Sequence, residues 1–485
     1  MSRGDQLASA TPASEKWPRG KVPFWVGDAF AQDPQWTPQD PLSGQQQADV
    51  AIVGGGFTGL WTALALRQRR PQARIVVLEA QFCAAGASGM NGGFSHGYWD
   101  ALPRLLQDFG EADALAIAEA GSEAQRQIER FCSEHAPQAR FSAGGRVKLA
   151  SSARQLERFD EYFRIARVYG LGDRIRAADP REIAGYCRLP SVVGGIHFAE
   201  TATVQPAQLV LALRREALRR GVRIHEASPV RGVQEARDGY VVQTAAGSVL
   251  AGDVVLASNA SLATHALLRR KLTNFSSYVL ATRPIPDKLR QMGWNSDIGF
   301  STAKMFLNWF RKTPDQRIVF GTGGGPIGFN GASSGALLQH PGTYRKLLGD
   351  FLQMFPQCTA SDIACDWAGA VELSTDRLPF FGTLPGTRIH YGCGYSGHGV
   401  NATWIGGRIL AELVTGDAAE WSRLPFHTRT VADWPREPFR YLGGRLFRSG
   451  LMAYEDALEA GRAPSLYASL VRRMSSIGPV RLGAR

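Results

Sequence analysis

Apolar runs broken by glycines set the pattern of this chain. Residues 51–53 (Ala-Ile-Val) read as a buried strand. Gly54, Gly55 and Gly56 follow, then Phe57, Thr58 and Gly59. Beyond them Trp61, Ala63, Leu64 and Leu66 suit a helix. Residues 75–78 (Ile-Val-Val-Leu) are a second apolar run, closed by Glu79 and Ala80. A glycine-rich loop comes next: Gly86, Ala87, Ser88, Gly89, Met90, Asn91, Gly92 and Gly93. Helical spacing predicts a helix over 102–132, then a strand over 144–149, a charged amphipathic helix, and a strand near 196–198. Pro206 opens a helix through Leu209, Leu213 and Leu218 that closes at Gly221, with proline at the start and glycine just past the end. Residues 222–225, 230–233, 240–242 and 249–250 read as strands, with turns at Asp238-Gly239 and Ala246-Gly247. Residues 253–257 form a buried strand leading to Ser258 and Asn259.

From 270 to 365 aromatic residues are frequent and segments such as 277–283 and 317–321 read as strands, which predicts a separate antiparallel sheet. Residues 366–416 return to glycine-rich loops and a helix from about 401 to 414, and the tail is helical near 451–463. The expected organisation is an extension over 1–47, a discontinuous first domain over 48–105, 200–268 and 366–416, a cap over 106–199 and 269–365, and a helical tail over 417–485.

The first unit has a chemical meaning. Strand, G-x-G-x-x-G turn, helix, strand and a terminal acid 20 residues past Gly59 form a dinucleotide-binding fingerprint. Gly54 permits the tight turn, Gly56 lets a pyrophosphate approach the backbone, and Gly59 lets the helix lie close to the strand. The helix N-terminus receives the phosphate charge. Glu79 can accept both ribose hydroxyls and repels a 2′-phosphate. The fold class is therefore α/β with a Rossmann-like nucleotide-binding domain and an antiparallel-sheet substrate domain.

Composition narrows the rest. The 485 residues are 44% hydrophobic and 20% charged, which suits a soluble protein of two or three domains. The six cysteines are scattered without a C-x-x-C pair, which argues against a metal site and a disulfide framework and suits a reducing cytoplasm. The polar first 49 residues do not read as a signal peptide, and no stretch approaches the roughly 20 apolar residues of a membrane span. The net charge of +12 comes from arginines spread through helices rather than one aromatic-interleaved tract, which argues against nucleic-acid binding. An anionic substrate or a membrane surface suits that charge equally.

A third glycine loop, Gly394, Tyr395, Ser396, Gly397, His398, Gly399 and Val400, enters the last helix of the first domain, after Asp376-Arg377-Leu378-Pro379. Its amides and helix dipole offer positive charge. Together, segments 53–59, 77–80, 86–93, 253–260 and 376–400 resemble the FAD-dependent amine and amino-acid oxidoreductases of the D-amino-acid-oxidase-like (DAO) family over roughly residues 48–416. Within it, the chain is most similar to the γ-glutamylputrescine oxidase and aminophosphonate oxidoreductase branch; the phrase from Pro435 to Gly444 is similar to tails of the second type.

The resemblance implies FAD, with Gly54 to Gly59 on the pyrophosphate, Glu79 and Ala80 at the ribose, and Val230 at the adenine. Ser88 to Gly93 would line pyrophosphate and flavin, with Ser258 and Asn259 beside them. Gly394, Tyr395, Gly397, His398, Gly399 and Val400 would sit by the flavin pyrimidine. Sarcosine oxidases link flavin to a Cys where this chain has Gly369, so the implied FAD is non-covalent. They also carry a Lys near the flavin, and the matching stretch 323–329 has none. The implied reaction is hydride transfer from the carbon of an amine C–N bond, giving an imine that hydrolyses, with oxygen or a quinone as electron acceptor. Candidate catalytic residues are His96, Trp99 and His398. Against these stand plainer readings: His398 as a structural hydrogen-bonding group, Trp99 as core, Asp376 as a loop brace and Arg283 as a surface charge. A NAD-dependent dehydrogenase and a non-catalytic flavin-binding module are the alternatives; the first leaves the two later glycine loops without a job.

Overall fold

Gly44–Val53 is the central strand of the first sheet in the computed structural model, which describes residues 22–417, 420–459 and 462–474. The apolar end of this strand pairs in parallel with Ile75–Leu78 on one side and Gly247–Leu256 on the other. Arg223–His225 extends the sheet beyond the first neighbour and Ile389–Cys393 beyond the second, again in parallel. Phe380–Thr383 closes that edge antiparallel. The strand order reverses at Gly44–Val53, so a crevice opens above its carboxyl end, where open α/β sheets take ligands.

Two helices cover one face. Phe57–Arg69 and Gly399–Thr415 cross so closely that a Cβ on Gly407 would lie 2.7 Å from the Trp61 backbone. Pro206–Arg219 packs beside the first of them, and Leu102–His135 beside the second. Leu102–His135 breaks at Gly110, which has φ 77°.

The second sheet runs in the order Ile363–Leu373, Thr273–Thr282, Ile318–Thr322, Asn308–Lys312, Gly299–Thr302, Arg146–Ala150, Gly194–Phe198, Ile175–Ala178. Alternation sorts its side chains. Phe300, Phe310 and Phe320 point outward onto Phe351 and Phe355 at the helix Pro341–Met354. Val279, Ala281, Val319 and Trp367 point inward and join the core packed around the first sheet's helices.

Several boundaries differ from the sequence reading. Residues 249–250 and 253–256 belong to one ten-residue strand, Gly247–Leu256, because parallel pairing with Gly44–Val53 holds it extended through Gly252; Ala257 lies just past its end. For the same reason the central strand starts at Gly44, ahead of residue 48. The boundary expected at 366 falls inside Ile363–Leu373, which pairs with Thr273–Thr282 along its length. The polar extension hid a helix, Phe24–Gln32, whose Trp25, Val26 and Ala29 are buried; Gln205 donates to the Trp25 carbonyl at 2.8 Å. Beyond the short turn Pro425–Thr428, the tail has the helices Phe439–Glu459 and Leu466–Met474, so the helical part expected near 451–463 starts earlier, at Phe439. Residues 1–21 of the expected extension and 418–419, 460–461 and 475–485 of the tail lie outside the described residues. Among the described residues no helix is long and apolar enough to cross a membrane, the six cysteines form no disulfide, and no cluster of three metal-ligating side chains occurs.

Candidate functional site

The crevice is built from glycines that cannot be replaced without collision. Gly54 has φ 113°, and a Cβ on it would lie 2.5 Å from the Ala257 carbonyl oxygen, beside Ser258. A Cβ on Gly59 would overlap the Gly54 carbonyl. Gly56 caps the helix Phe57–Arg69 without a side chain, and the first amides of such a helix have no acceptor within it. The Phe57 amide donates to Ser88 Oγ at 2.9 Å, so the second glycine segment closes over the first.

Glu79 stands at the crevice wall. Its Oε2 accepts the Gly55 amide at 2.8 Å and its Oε1 the Gln81 amide at 3.0 Å. Ala80 is exposed beside it. The Ser228 amide donates to the Glu79 carbonyl at 2.8 Å, which places Val230 next to the same wall, half-buried.

The second glycine segment is not a pure loop. Ala87–Met90 forms one helical turn capped by Gly86, and a Cβ on Gly89 would overlap the Ala84 carbonyl. Asn91 braces the exit: its Nδ2 donates to the Ser88 carbonyl at 2.9 Å and its Oδ1 accepts the Gly93 amide at 2.8 Å. The cap sheet holds this segment from above. Trp367 Nε1 donates to the Met90 carbonyl at 2.8 Å. Arg311 Nη1 donates to the carbonyls of Gly93 at 3.0 Å and Val204 at 2.8 Å. Burial pushes the Arg311 guanidinium down to about 10. The Trp309 ring lies so close to Gly92 and Gly321 that a Cβ on either would overlap it.

The third loop meets both. Tyr395 is buried, and its hydroxyl accepts the Thr58 Oγ1 hydrogen at 2.8 Å, tying the last glycine loop to the first helix. Gly394 and Gly397 hold φ 81° and 87°. His398 ends the loop at the N-terminus of Gly399–Thr415, where Val400 is buried; its Nδ1 lies 3.1 Å from the Ser396 carbonyl. The His398 and His96 rings are 5.6 Å apart. Phe94 stacks on His96 at 5.5 Å and meets Trp309 edge-on at 5.8 Å. His398, His96, Phe94 and Trp309 thus form a continuous row of ring contacts between the third glycine loop and the cap sheet.

Trp99 is placed among the core side chains instead. It is buried, its indole N–H donates to Ser122 Oγ at 2.8 Å, and Arg174 lies over its ring. Asp376 pairs with Arg429 through two contacts, at 2.6 and 3.1 Å, and holds the loop before Pro379. Arg283 is exposed and bonds the Ser361 carbonyl.

The sequence reading missed Glu372. This fully buried carboxyl accepts the Gly394 amide at 2.8 Å and the Tyr395 amide at 3.4 Å through Oε1, while Asn259 Nδ2 lies 3.5 Å from the same oxygen. Desolvation raises it to about 7, against the pull of the two amides. Its Oε2 has no partner, and neither has Oδ1 of Asn274, its cross-strand neighbour. The available signal was one acid at an apolar strand end, in Val371-Glu372-Leu373.

Residues 49–413 match the family described as FAD dependent oxidoreductase (DAO). The chain belongs to this family. It is 29% identical over 426 residues to gamma-glutamylputrescine oxidoreductase of Escherichia coli, covering 85% of this chain and 92% of that one. It is 27% identical over 383 residues to the probable oxidoreductase OrdL of Haemophilus influenzae, covering 78% and 85%. Among solved structures, glycine oxidase from Geobacillus kaustophilus superposes with a TM-score of 0.65 at 20% identity, covering 80% of this chain and all of that one; this likeness shows the fold.

The protein is an FAD-dependent oxidoreductase, and its site fits the cofactor. The glycine turn and open helix N-terminus suit a pyrophosphate. Buried polar atoms are normally bonded. Glu372, which braces the third glycine loop, and Asn274 across from it each keep an unpartnered oxygen, hydrogen-bonding capacity beside the loop that a polar cofactor would meet.

Proposed function

We propose that this FAD-dependent oxidoreductase oxidises the C–N bond of a primary or secondary amine: an amino acid, a polyamine derivative or an aminophosphonate. The observation that carries the reading is the His96–His398 pair at 5.6 Å, with Phe94 stacked on His96 and Trp309 against Phe94, beside the cofactor crevice. The resemblance to γ-glutamylputrescine oxidoreductase supports the amine class. FAD supplies the hydride acceptor.

The chain does the rest. The turn from Gly54 to Gly59 and the amides behind it hold the pyrophosphate; Glu79 holds the ribose, and Val230 the adenine through its backbone. The segment from Ser88 to Gly93, with Ser258 and Asn259, lines the middle of the cofactor, without a covalent link because Gly369 offers no thiol. His398 and the N-terminus of Gly399–Thr415 would face the flavin pyrimidine end, where the helix dipole would favour negative charge. The imidazole of His96 takes the proton that an ammonium substrate sheds, since only the neutral amine has a lone pair to assist hydride loss. Phe94 and Trp309 exclude water and fix the reacting C–H bond. The imine hydrolyses after release. Oxygen or a quinone takes the electrons, and six cysteines without a disulfide suit a cytoplasmic setting.

Anaerobic mixing with a panel of amines, amino acids and aminophosphonates tests this reading. Bleaching of the flavin band by at least one amine is expected. A flavin-loaded protein that none of them reduces contradicts it.

A further inference from the structure

The family match ends at residue 413, and all of glycine oxidase is spanned by 80% of this chain. The two longer helices beyond that limit are Phe439–Glu459 and Leu466–Met474. Their inner faces are satisfied. Leu451 and Tyr454 are buried on the first and Ala468 and Val471 on the second, and Val471 sits so close to Gly450 that a Cβ there would lie 2.7 Å away.

Their outer faces are apolar. Phe439, Leu442 and Leu446 stand at i, i+3 and i+7, and Phe439 is 74% exposed. Leu466, Leu470 and Met474 stand at i, i+4 and i+8, and Leu466 is 92% exposed. With Tyr467, these are seven of the eleven large apolar side chains left in solvent among the described residues. A surface helix of a globular protein shows the opposite arrangement.

Charge narrows what covers them. Over residues 436–449 and 466–474 the exposed charged side chains are Arg436, Arg445 and Arg473, all cationic. The acids of the first helix lie at its far end, where Asp456 faces Lys346 and Glu459 faces Lys304. A second copy seated on this patch would set arginines against arginines with no carboxylate between them. The one acid in these ranges, Glu437, is half-buried and paired with Arg440, so the exposed charge beside the apolar side chains is cationic, which matches a helix lying in the interface of an anionic bilayer.

We propose that these two helices dock the enzyme on the surface of a membrane containing anionic phospholipid, with the apolar stripes in the interface and the arginines on the headgroups. Neither helix crosses the bilayer. The inference rests on the added helices and is independent of the substrate.

The test is co-sedimentation of the full, FAD-loaded chain with vesicles of phosphatidylcholine alone or mixed with phosphatidylglycerol. Partition onto the mixed vesicles is expected to be stronger by on the order of a hundredfold, and to weaken with salt. Leu446→Ser with Leu470→Ser should lower it by at least about tenfold, with flavin content and melting temperature unchanged. Arg445→Gln with Arg473→Gln should remove the preference for phosphatidylglycerol. Three results would each overturn the proposal: no binding to mixed vesicles at low salt, binding that survives both double variants, or a dimer in light scattering that the leucine variant splits into monomers.

Discussion

Glu372 accepts the Gly394 amide at 2.8 Å from inside the protein, and so braces the last glycine loop with a group that would rather be neutral. Burial lifts this carboxyl from 4.5 to about 7. A raised folded pKa means that folding favours the protonated form. The contribution is full below the unfolded value near 4.5 and is lost as pH rises through 7. The shift corresponds to on the order of 3 kcal/mol. Urea unfolding of the wild type and Glu372→Gln between pH 5 and 8 checks this. The wild type should lose stability relative to the variant as pH rises; parallel curves would contradict the assignment.

The crevice makes a steric prediction. Gly59→Ala places a methyl on the Gly54 carbonyl, and Gly54→Ala adds a side chain at φ 113° against Ala257. Both should purify with little or no flavin. Bound FAD in either variant, measured by its absorbance after desalting, would show that the turn is not its seat.

Glu79→Ala should weaken FAD binding by about ten- to a hundredfold, the worth of one or two charge-assisted hydrogen bonds. The substitution also frees the Gly55 and Gln81 amides. Unchanged flavin retention in equilibrium dialysis would count against the ribose contact.

Tyr395→Phe removes the acceptor of the buried Thr58 hydroxyl and should cost about 1–3 kcal/mol. The loss should appear in chemical denaturation. A double-mutant cycle with Thr58→Val should show that the two costs do not add.

His96→Gln should lower kcat/KM by about a hundredfold or more while flavin content stays at the wild-type level. The acidic limb of the pH–rate profile should shift or vanish, because the proton acceptor is gone. A wild-type profile with a reduced rate would make His96 a packing residue only.

Much of this was legible in the chain. Gly54, Gly56, Gly59 and Glu79 are readable because close backbone approach admits only glycine and because the strands around them alternate with helices in a short span. The His96–His398 meeting was not readable as a contact, since it joins residues more than 300 positions apart through a fold both must share. Trp309, Arg311 and Trp367 were missed for a related reason. They reach the second glycine segment from the cap sheet, and a lone aromatic or arginine on a strand carries no mark of what lies across from it. Phe24–Gln32 was hidden because its flanks are polar, and only tertiary contacts bury Trp25. Trp99, a candidate from its place beside His96, is buried with its indole bonded to Ser122, which suits the plainer core reading.

The most direct test of the central claim is anaerobic reduction of the bound flavin by an amine, followed in wild type and in His96→Gln. The account predicts rapid bleaching in the wild type, slower bleaching in the variant, and release of the corresponding aldehyde or ketone after imine hydrolysis. Flavin that stays oxidised with every amine, yet is reduced by NADH or by a 2-hydroxy acid, would contradict it.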